Sequence, residues 1–342
     1  MKISRVGMDL AKQVFEVCGV DRRGKVRLRK TLRRARVLEF FAQLEPCVVG
    51  IEACGSAHYW ARKLTGIGHE VKLIAPQFVR PYRKNEKNDA NDAEAICEAV
   101  SRPSMRFVAI KSEEQQAVLT LHRARHLLVG ERTALVNQIR GLLAEYGIIV
   151  APGVAKVRRA LPDIIEDAEQ SLPGLARQTF AEMNDRLADL DRRSLAYDRR
   201  IELLAHEMPA AQRLMQLEGI GPVTATALIA TVGNARVFDN GRQFAAWLGL
   251  VPRQYSTGGK PRLGRITKRG DTYLRTLLIH GARSAMRTLG RRTDAKSRWA
   301  QELKVRRGYN KTAVALAARN ARILWAMLAH DEDYRPAATV TN

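Results

Sequence analysis

Asp89 and Asp92 stand three residues apart in Lys87-Asn-Asp-Ala-Asn-Asp-Ala, at the start of a helical pattern. That spacing puts both carboxylates on one helix face, where they can converge on a single point. An acidic pair at a helix start also suits the positive end of the helix dipole and can serve simply as a cap. Two further acids weigh against that dull account. Asp9 lies in the β-like run Val6-Gly-Met-Asp-Leu, and Glu52 closes the apolar run Cys47-Val-Val-Gly-Ile-Glu. Hard divalent cations such as Mg²⁺ take oxygen ligands, and two of them about 4 Å apart can clamp the attacking and leaving oxygens of a phosphodiester. Four neighbouring carboxylates repel one another unless a metal or a shifted protonation relieves them. Asp9, Glu52, Asp89 and Asp92 are therefore the candidate catalytic metal ligands, with Mg²⁺ as the cofactor.

A second chemical group lies far along the chain. Ser256 and Thr257 occupy a Gly-flanked stretch, Gln254-Tyr-Ser-Thr-Gly-Gly-Lys260. A hydroxyl there can hold a phosphate or bond its own backbone. A nucleophilic serine needs a base or a metal to activate it, and no His or Asp is near in sequence. Any activating group must come from elsewhere in space.

These residues need elements to position them. Val6–Leu10 and Val14–Val20 read as strands, and Lys25-Val-Arg-Leu-Arg alternates as a half-exposed third strand after the turn Asp21-Arg-Arg-Gly24. Helical spacing at 34–44, a buried strand at 47–52, a helix at 57–66, a strand at 71–75 and a helix from Asp89 follow. Three antiparallel strands and then alternating helices and strands is the order of a ribonuclease H-like (RuvC-like) α/β fold. From Ser112 to about Tyr146, and again from 173 to 207, long polar patterns with an apolar stripe predict an antiparallel coiled pair, separated by Pro152-Gly153 and the acid-rich stretch near 163–169. It reads as a spacer or dimerisation arm. His122 and His126, four apart, have metal-ligand spacing, though their basic neighbours favour a solvated face. The remaining third is mostly helical. There Leu214-Met-Gln-Leu-Glu-Gly-Ile-Gly-Pro-Val-Thr reads as a helix-hairpin-helix, where Gly219 and Gly221 allow a tight turn whose amides can hold a phosphate; a hairpin that only packs is the alternative.

The chain of 342 residues carries a formal charge of +23 with a pI near 10.4, which points to a polyanion, and nucleic acid is the usual one. Between 251 and 310 there are 16 Lys and Arg against three acids. Arg253, Lys260, Arg262, Arg265, Lys268 and Arg269 head that stretch, the main candidate nucleic-acid face; Lys84, Lys87 and the asparagines 85, 88 and 91 beside the acids are a smaller one or merely a solvated loop. No apolar run is long enough to span a bilayer, and the N-terminus lacks a signal-peptide pattern. Cys18, Cys47, Cys54 and Cys97, without zinc-site spacing, read as buried free thiols of a reducing cytoplasm.

From about residue 3 to 330 the chain resembles a transposase of the insertion-sequence family numbered one hundred and ten, in its eleven-eleven branch. The motifs are Gly7-Met-Asp-Leu-Ala-Lys, Gly50-Ile-Glu-Ala-Cys-Gly, Lys87-Asn-Asp-Ala-Asn-Asp-Ala, Gly219-Ile-Gly, and Ser256-Thr-Gly-Gly-Lys with Arg262-Leu-Gly. The resemblance implies a RuvC-like domain at 1–108, a coiled arm at 109–210, a C-terminal transposase domain at 211–330 and a tail at 331–342. It implies that Asp9, Glu52, Asp89 and Asp92 form an acidic tetrad and that a C-terminal serine attacks DNA to form a phosphoserine link. It further implies a composite site built from two subunits of a homo-oligomer, dimer or tetramer, and an element-encoded guide RNA that pairs with donor and target DNA. Many relatives have two serines where this chain has Ser256-Thr257; Ser256 is the expected nucleophile, with Thr257 the alternative. A structure-specific or Holliday-junction nuclease, in which water attacks and Ser256 only holds phosphate, is the rival reading.

Overall fold

The computed structural model describes residues 2–84, 88–169 and 172–335. The chain divides into two compact units, Met1–Glu114 and Gln115–Asn342.

The first unit is built on one sheet. Its strands are β1 (Arg5–Leu10), β2 (Val14–Val20), β3 (Val26–Arg33), β4 (Val48–Glu52), β5 (Glu70–Ile74) and the short β6 (Phe107–Val108), in the order β3-β2-β1-β4-β5-β6. β1 to β3 are antiparallel, β4 and β5 run parallel to β1, and β6 returns antiparallel. This is the mixed sheet the sequence order predicts, with β6 as an unforeseen edge. Between strands come α1 (Val37–Ala42), α2 (Ala57–Gly66), α3 (Pro76–Val79) and α4 (Asp89–Ala99). The helix expected over 34–44 is shorter, a 3₁₀ turn leading into α1.

Period-two alternation divides the two faces of the sheet. Val6, Met8, Phe15, Val17 and Leu32 point into a core shared with Phe41 of α1 and Trp60 and Leu64 of α2. The opposite face meets α4. There Gly7 and Gly50 lie side by side in the parallel register of β1 and β4. A Cβ at Gly7 would stand 2.1 Å from the Ala93 carbonyl oxygen, and one at Gly50 would stand 2.9 Å from the Val100 Cβ. Only bare backbone lets α4 lie this close. Asp9 and Glu52 follow these glycines by two residues, so they emerge on the same face.

In the second unit, α5 (Glu113–Ala144) and α7 (Gly174–Glu207) are the two long helices. Arg125 pairs with Asp198 and Arg132 with Asp191, seven residues on in α5 and seven back in α7, so the helices run antiparallel. The separating segment is not a loop. It forms α6 (Val154–Glu166), whose Val157, Leu161 and Ile164 share a core with Leu135, Ile139 and Leu143 of α5 and Phe180, Leu187 and Leu190 of α7. The expected two-helix pair is thus a three-helix layer over much of its length. The helical spacing of Val157, Leu161 and Ile164 was the overlooked signal; the flanking Pro and Gly masked it.

α8 (Pro209–Met215), α9 (Pro222–Val232), α10 (Gly241–Trp247), α11 (Thr272–Ala285), α12 (Ala295–Arg307) and α13 (Tyr309–His330) enclose one further core. α9 is apolar or small on nearly every side and is correspondingly buried, which makes it the centre of this bundle. Strands β7 (Pro252–Gln254) and β8 (Leu263–Ile266) form an exposed hairpin between α10 and α11. Among the described residues no helix is long and apolar enough to cross a membrane.

Candidate metal centre and serine hairpin

The capping account of Asp89 and Asp92 fails on a hydrogen bond. Asn88 is the N-cap of α4, and its side chain accepts from the Asn91 backbone N–H at 2.7 Å. Neither acid is therefore needed as a cap, and both are free to point elsewhere. They point at β1: oxygens of Asp9, Asp89 and Asp92 all lie within 4.8 Å of one another. Asp92 is only 5% exposed. Burial raises Asp9 from 3.8 to about 6, and the negative charges of Asp92, Asp89 and Glu52 push it the same way.

Glu52 stands apart from the tight trio. Arg83, which sequence reasoning passed over, places its Nη2 3.3 Å from Glu52 Oε2 and its Nε 2.7 Å from Asp92 Oδ1. The second contact is an ion pair without hydrogen-bond alignment, so the buried Asp92 Oδ1 lacks a donor. A buried carboxylate oxygen without a donor, beside a carboxyl that burial and like charge push toward protonation, fits a hard divalent cation. Asp9, Asp89 and Asp92 are the residues able to hold it, while Glu52 is paired with Arg83. Lys87 lies outside the described residues. Lys84 is spent on Glu94, at 2.5 Å.

The serine stretch forms a β-hairpin. Gly258 and Gly259 both have positive φ, +56° and +73°, and Thr257 bridges to Lys260 across them. Two successive left-handed residues make the tight turn whose twist suits a hairpin. Ser256 lies just before the turn, exposed, and its Oγ accepts from Gln254 Nε2 at 2.9 Å and from the Arg262 backbone N–H at 3.2 Å. Two donors on one hydroxyl oxygen favour its ionised form. Thr257 supplies its carbonyl to the Lys260 N–H at the tip. Arg253, Lys260, Arg262, Arg265, Lys268 and Arg269 are all exposed along this hairpin and its base. Buried Arg275 secures that base by donating to the carbonyls of Leu248 and Gly270.

Other candidates come out differently. Gly219, at φ +84°, packs against α11: a Cβ there would stand 2.4 Å from the Gly281 carbonyl oxygen, whereas Gly221 has open space. The glycine at 219 is thus demanded by packing inside the bundle. His122 is neither a solvated residue nor a metal ligand. It is buried, with Nε2 2.9 Å from Thr226 Oγ1 and Nδ1 3.0 Å from the Tyr273 hydroxyl. Cys18, Cys47 and Cys97 are buried as expected, but Cys54 is exposed.

A DEDD transposase family model matches residues 6–148, and the model described as "Transposase IS116/IS110/IS902 family" matches residues 211–298. The chain is 56% identical over 337 residues to a "Probable family 20 transposase" of Pseudomonas aeruginosa, covering 98% of this chain and all of that one. It is 44% identical to the "Transposase for insertion sequence element IS1111A" of Coxiella burnetii, over 97% of this chain and 92% of the relative. The "Transposase for insertion sequence element IS1328" of Yersinia enterocolitica is 41% identical over 94% and 96%. The chain belongs to the IS110 family of insertion-sequence transposases, in the IS1111 branch. As a transposase it is a DNA-recombining enzyme. The first family match covers every one of the four acids, and the second contains Ser256 and the whole hairpin.

Proposed function

We propose that this transposase cuts and rejoins donor and target DNA through a phosphoserine intermediate. Asp9, Glu52, Asp89 and Asp92 would serve as metal ligands and Ser256 as nucleophile. The observation that carries the reading is the convergence of Asp9, Asp89 and Asp92, with the buried Asp92 Oδ1 met by the Arg83 charge but by no aligned hydrogen-bond donor. Mg²⁺ held there would neutralise charge on the phosphate under attack. In the covalent step the Ser256 Oγ bonds to phosphorus, the bond from phosphorus to one sugar oxygen breaks, and that oxygen leaves as a hydroxyl carrying the proton the serine gives up. One phosphodiester replaces another, so rejoining requires no energy source. The N–H groups of Gln254 and Arg262 support the developing negative charge on Oγ. Ser256 is preferred to Thr257 because it holds both of these donors.

Acids and serine lie in different compact units, which suits a composite site shared between subunits of a homo-oligomer, with the α5–α7 layer at 109–210 as the joining arm. The functional segments in this reading are 1–108, 109–210 and 211–330, a finer division than the two compact units Met1–Glu114 and Gln115–Asn342. Arg253, Lys260, Arg262, Arg265, Lys268 and Arg269 would bind the backbones of DNA and of an element-encoded guide RNA, with Lys87, Gly219 and Gly221 as further contacts. The charge of +23 and the exposed hairpin support that role. The work would take place in the cytoplasm, at the nucleoid.

A covalent-trapping assay tests the reading. Protein, co-expressed element RNA, Mg²⁺ and labelled donor and target DNA are mixed, denatured and run beside Ser256→Ala and Thr257→Ala. The expected result is a labelled protein band lost only in Ser256→Ala. Loss only in Thr257→Ala would move the nucleophile by one residue. Free cut DNA with no adduct in any lane would replace this reading with a nuclease in which water attacks.

A further inference from the structure

Residues 22 to 36 hold nine Lys and Arg and no acid. The fold sorts these cations by face. β3 is the edge of the sheet, and its side chains alternate between the two surfaces. Arg29 stands opposite Cys18, which stands opposite Gly7, and its guanidinium reaches Glu94 of α4 at 2.8 Å. Thr31 stands opposite Glu16 and donates to it at 2.7 Å, while Glu16 stands opposite Asp9. Arg33 follows two residues later, exposed, and no acid pairs with it among the described residues. Arg29, Thr31 and Arg33 therefore share the sheet face that carries Asp9. Lys30 takes the other face, where its ammonium sits 4.9 Å above the Phe40 ring.

One strand, β2, lies between this row and Asp9, so two interstrand spacings, about 10 Å, separate them. Any strand of nucleic acid laid over the carboxylates and continuing across β2 must pass the row. Its phosphates would meet cations where the carboxylates alone would repel them. We infer that Arg29 and Arg33 form a second nucleic-acid site, a rail on the sheet edge that holds the backbone of the DNA strand entering the carboxylate centre. Glu94, shared between Arg29 and Lys84, fixes the inner end of the rail against α4. The outer end, Arg33, is the phosphate contact. This inference rests on the proposed action of the acids on DNA.

The test uses the full-length protein without metal, so that binding is read without turnover. Labelled single-stranded DNA, and RNA of the same sequence, are titrated by fluorescence anisotropy over a range of salt. Arg33→Gln and Arg29→Gln are compared with Lys30→Gln, which removes the same charge from the same strand on the opposite face. Melting curves confirm that each variant folds, and Arg33→Gln, at an exposed position, keeps the test available should Arg29→Gln unfold. Expected is a loss of about fivefold in DNA affinity for Arg33→Gln, with the slope of log K against log salt reduced by about one contact, and Lys30→Gln unchanged. Equal losses in Arg33→Gln and Lys30→Gln would reduce the rail to diffuse charge and overturn it. A loss confined to RNA would overturn the assignment to DNA. Asp9→Asn separates the two layers: if it binds DNA normally and forms no adduct while Arg33→Gln binds as wild type does, the proposed function stands and the rail falls. If it still forms the adduct, the reading of the acids fails, whatever the rail does.

Discussion

Asp9 is the residue where charge and burial conflict most openly. Its carboxyl titrates near 6 in the folded chain against 3.8 for an ordinary Asp. A raised acid pKa means that the folded state holds the proton more tightly than the unfolded state does. The metal-free fold should therefore gain stability as pH falls from about 6 toward 4, and lose it as pH rises through 6. A divalent cation bound there would replace that proton, so metal binding should weaken below pH 6, and saturating metal should remove the trend. At a hundredfold excess over Kd the gain is about 2.7 kcal/mol. Asp9→Asn should abolish both effects in thermal melts with and without Mg²⁺. Arg83 carries an opposing charge between Glu52 and Asp92. Arg83→Gln should tighten Mg²⁺ binding about tenfold by calorimetry, because relief of ~1.4 kcal/mol of repulsion suffices for that factor; unchanged or weaker binding would show that Arg83 supports the site. The four acids were legible because they fall at strand ends and a helix start. Arg83 was not, since a single arginine before an Asn-rich run has no spacing to distinguish it.

At the scale of elements, the centre depends on how closely α4 lies on the sheet. The pattern Gly7-x-Asp9 on β1 and Gly50-x-Glu52 on β4 places an open backbone and a carboxylate on the same face in both strands. Gly7→Ala would drive a methyl group into the Ala93 carbonyl and the Cys97 amide. It should cost about 3 kcal/mol, the upper end for overpacking, and move Asp89 and Asp92 away from Asp9. Gly55→Ala, where nothing lies within 4 Å, is the matched control. Both melting temperature and Mg²⁺ affinity should fall for the first and hold for the second. The strand order could be read from the sequence because alternation and turn residues are local signals. α6 could not, because Pro152-Gly153 imitates a linker while the helix is held by its core with α5 and α7. Gly258-Gly259 marked only a Gly-flanked stretch; the hairpin and the two hydrogen bonds that hold Ser256 depend on strand register, which a single sequence does not reveal.

For the whole molecule, the two units should respond to acid in opposite directions. In the second unit, burial, aided by the nearby Arg125 charge, lowers His122 from 6.5 to about 4. Thr226 Oγ1 donates to the Pro222 carbonyl at 2.7 Å, so His122 Nε2 must donate to Thr226 and Nδ1 must accept from Tyr273. The neutral ring is satisfied on both sides, and through it α5 is tied to α9 and α11. An unfolded chain takes up a proton below 6.5 that this ring refuses, so the stabilising contribution is lost as pH falls from about 6.5 toward 4. Asp9 in the first unit gains stability over nearly the same interval. Hydrogen exchange on metal-free protein at pH 7 and pH 5, corrected for intrinsic rates, separates the two. Peptides of β1 and α4 should become more protected at pH 5, and peptides of α5, α9 and α11 less. His122→Gln should flatten the second trend and leave the first intact. If both units changed together in that variant, acid stability would belong to the chain as one cooperative body and the two sites would not report on separate units.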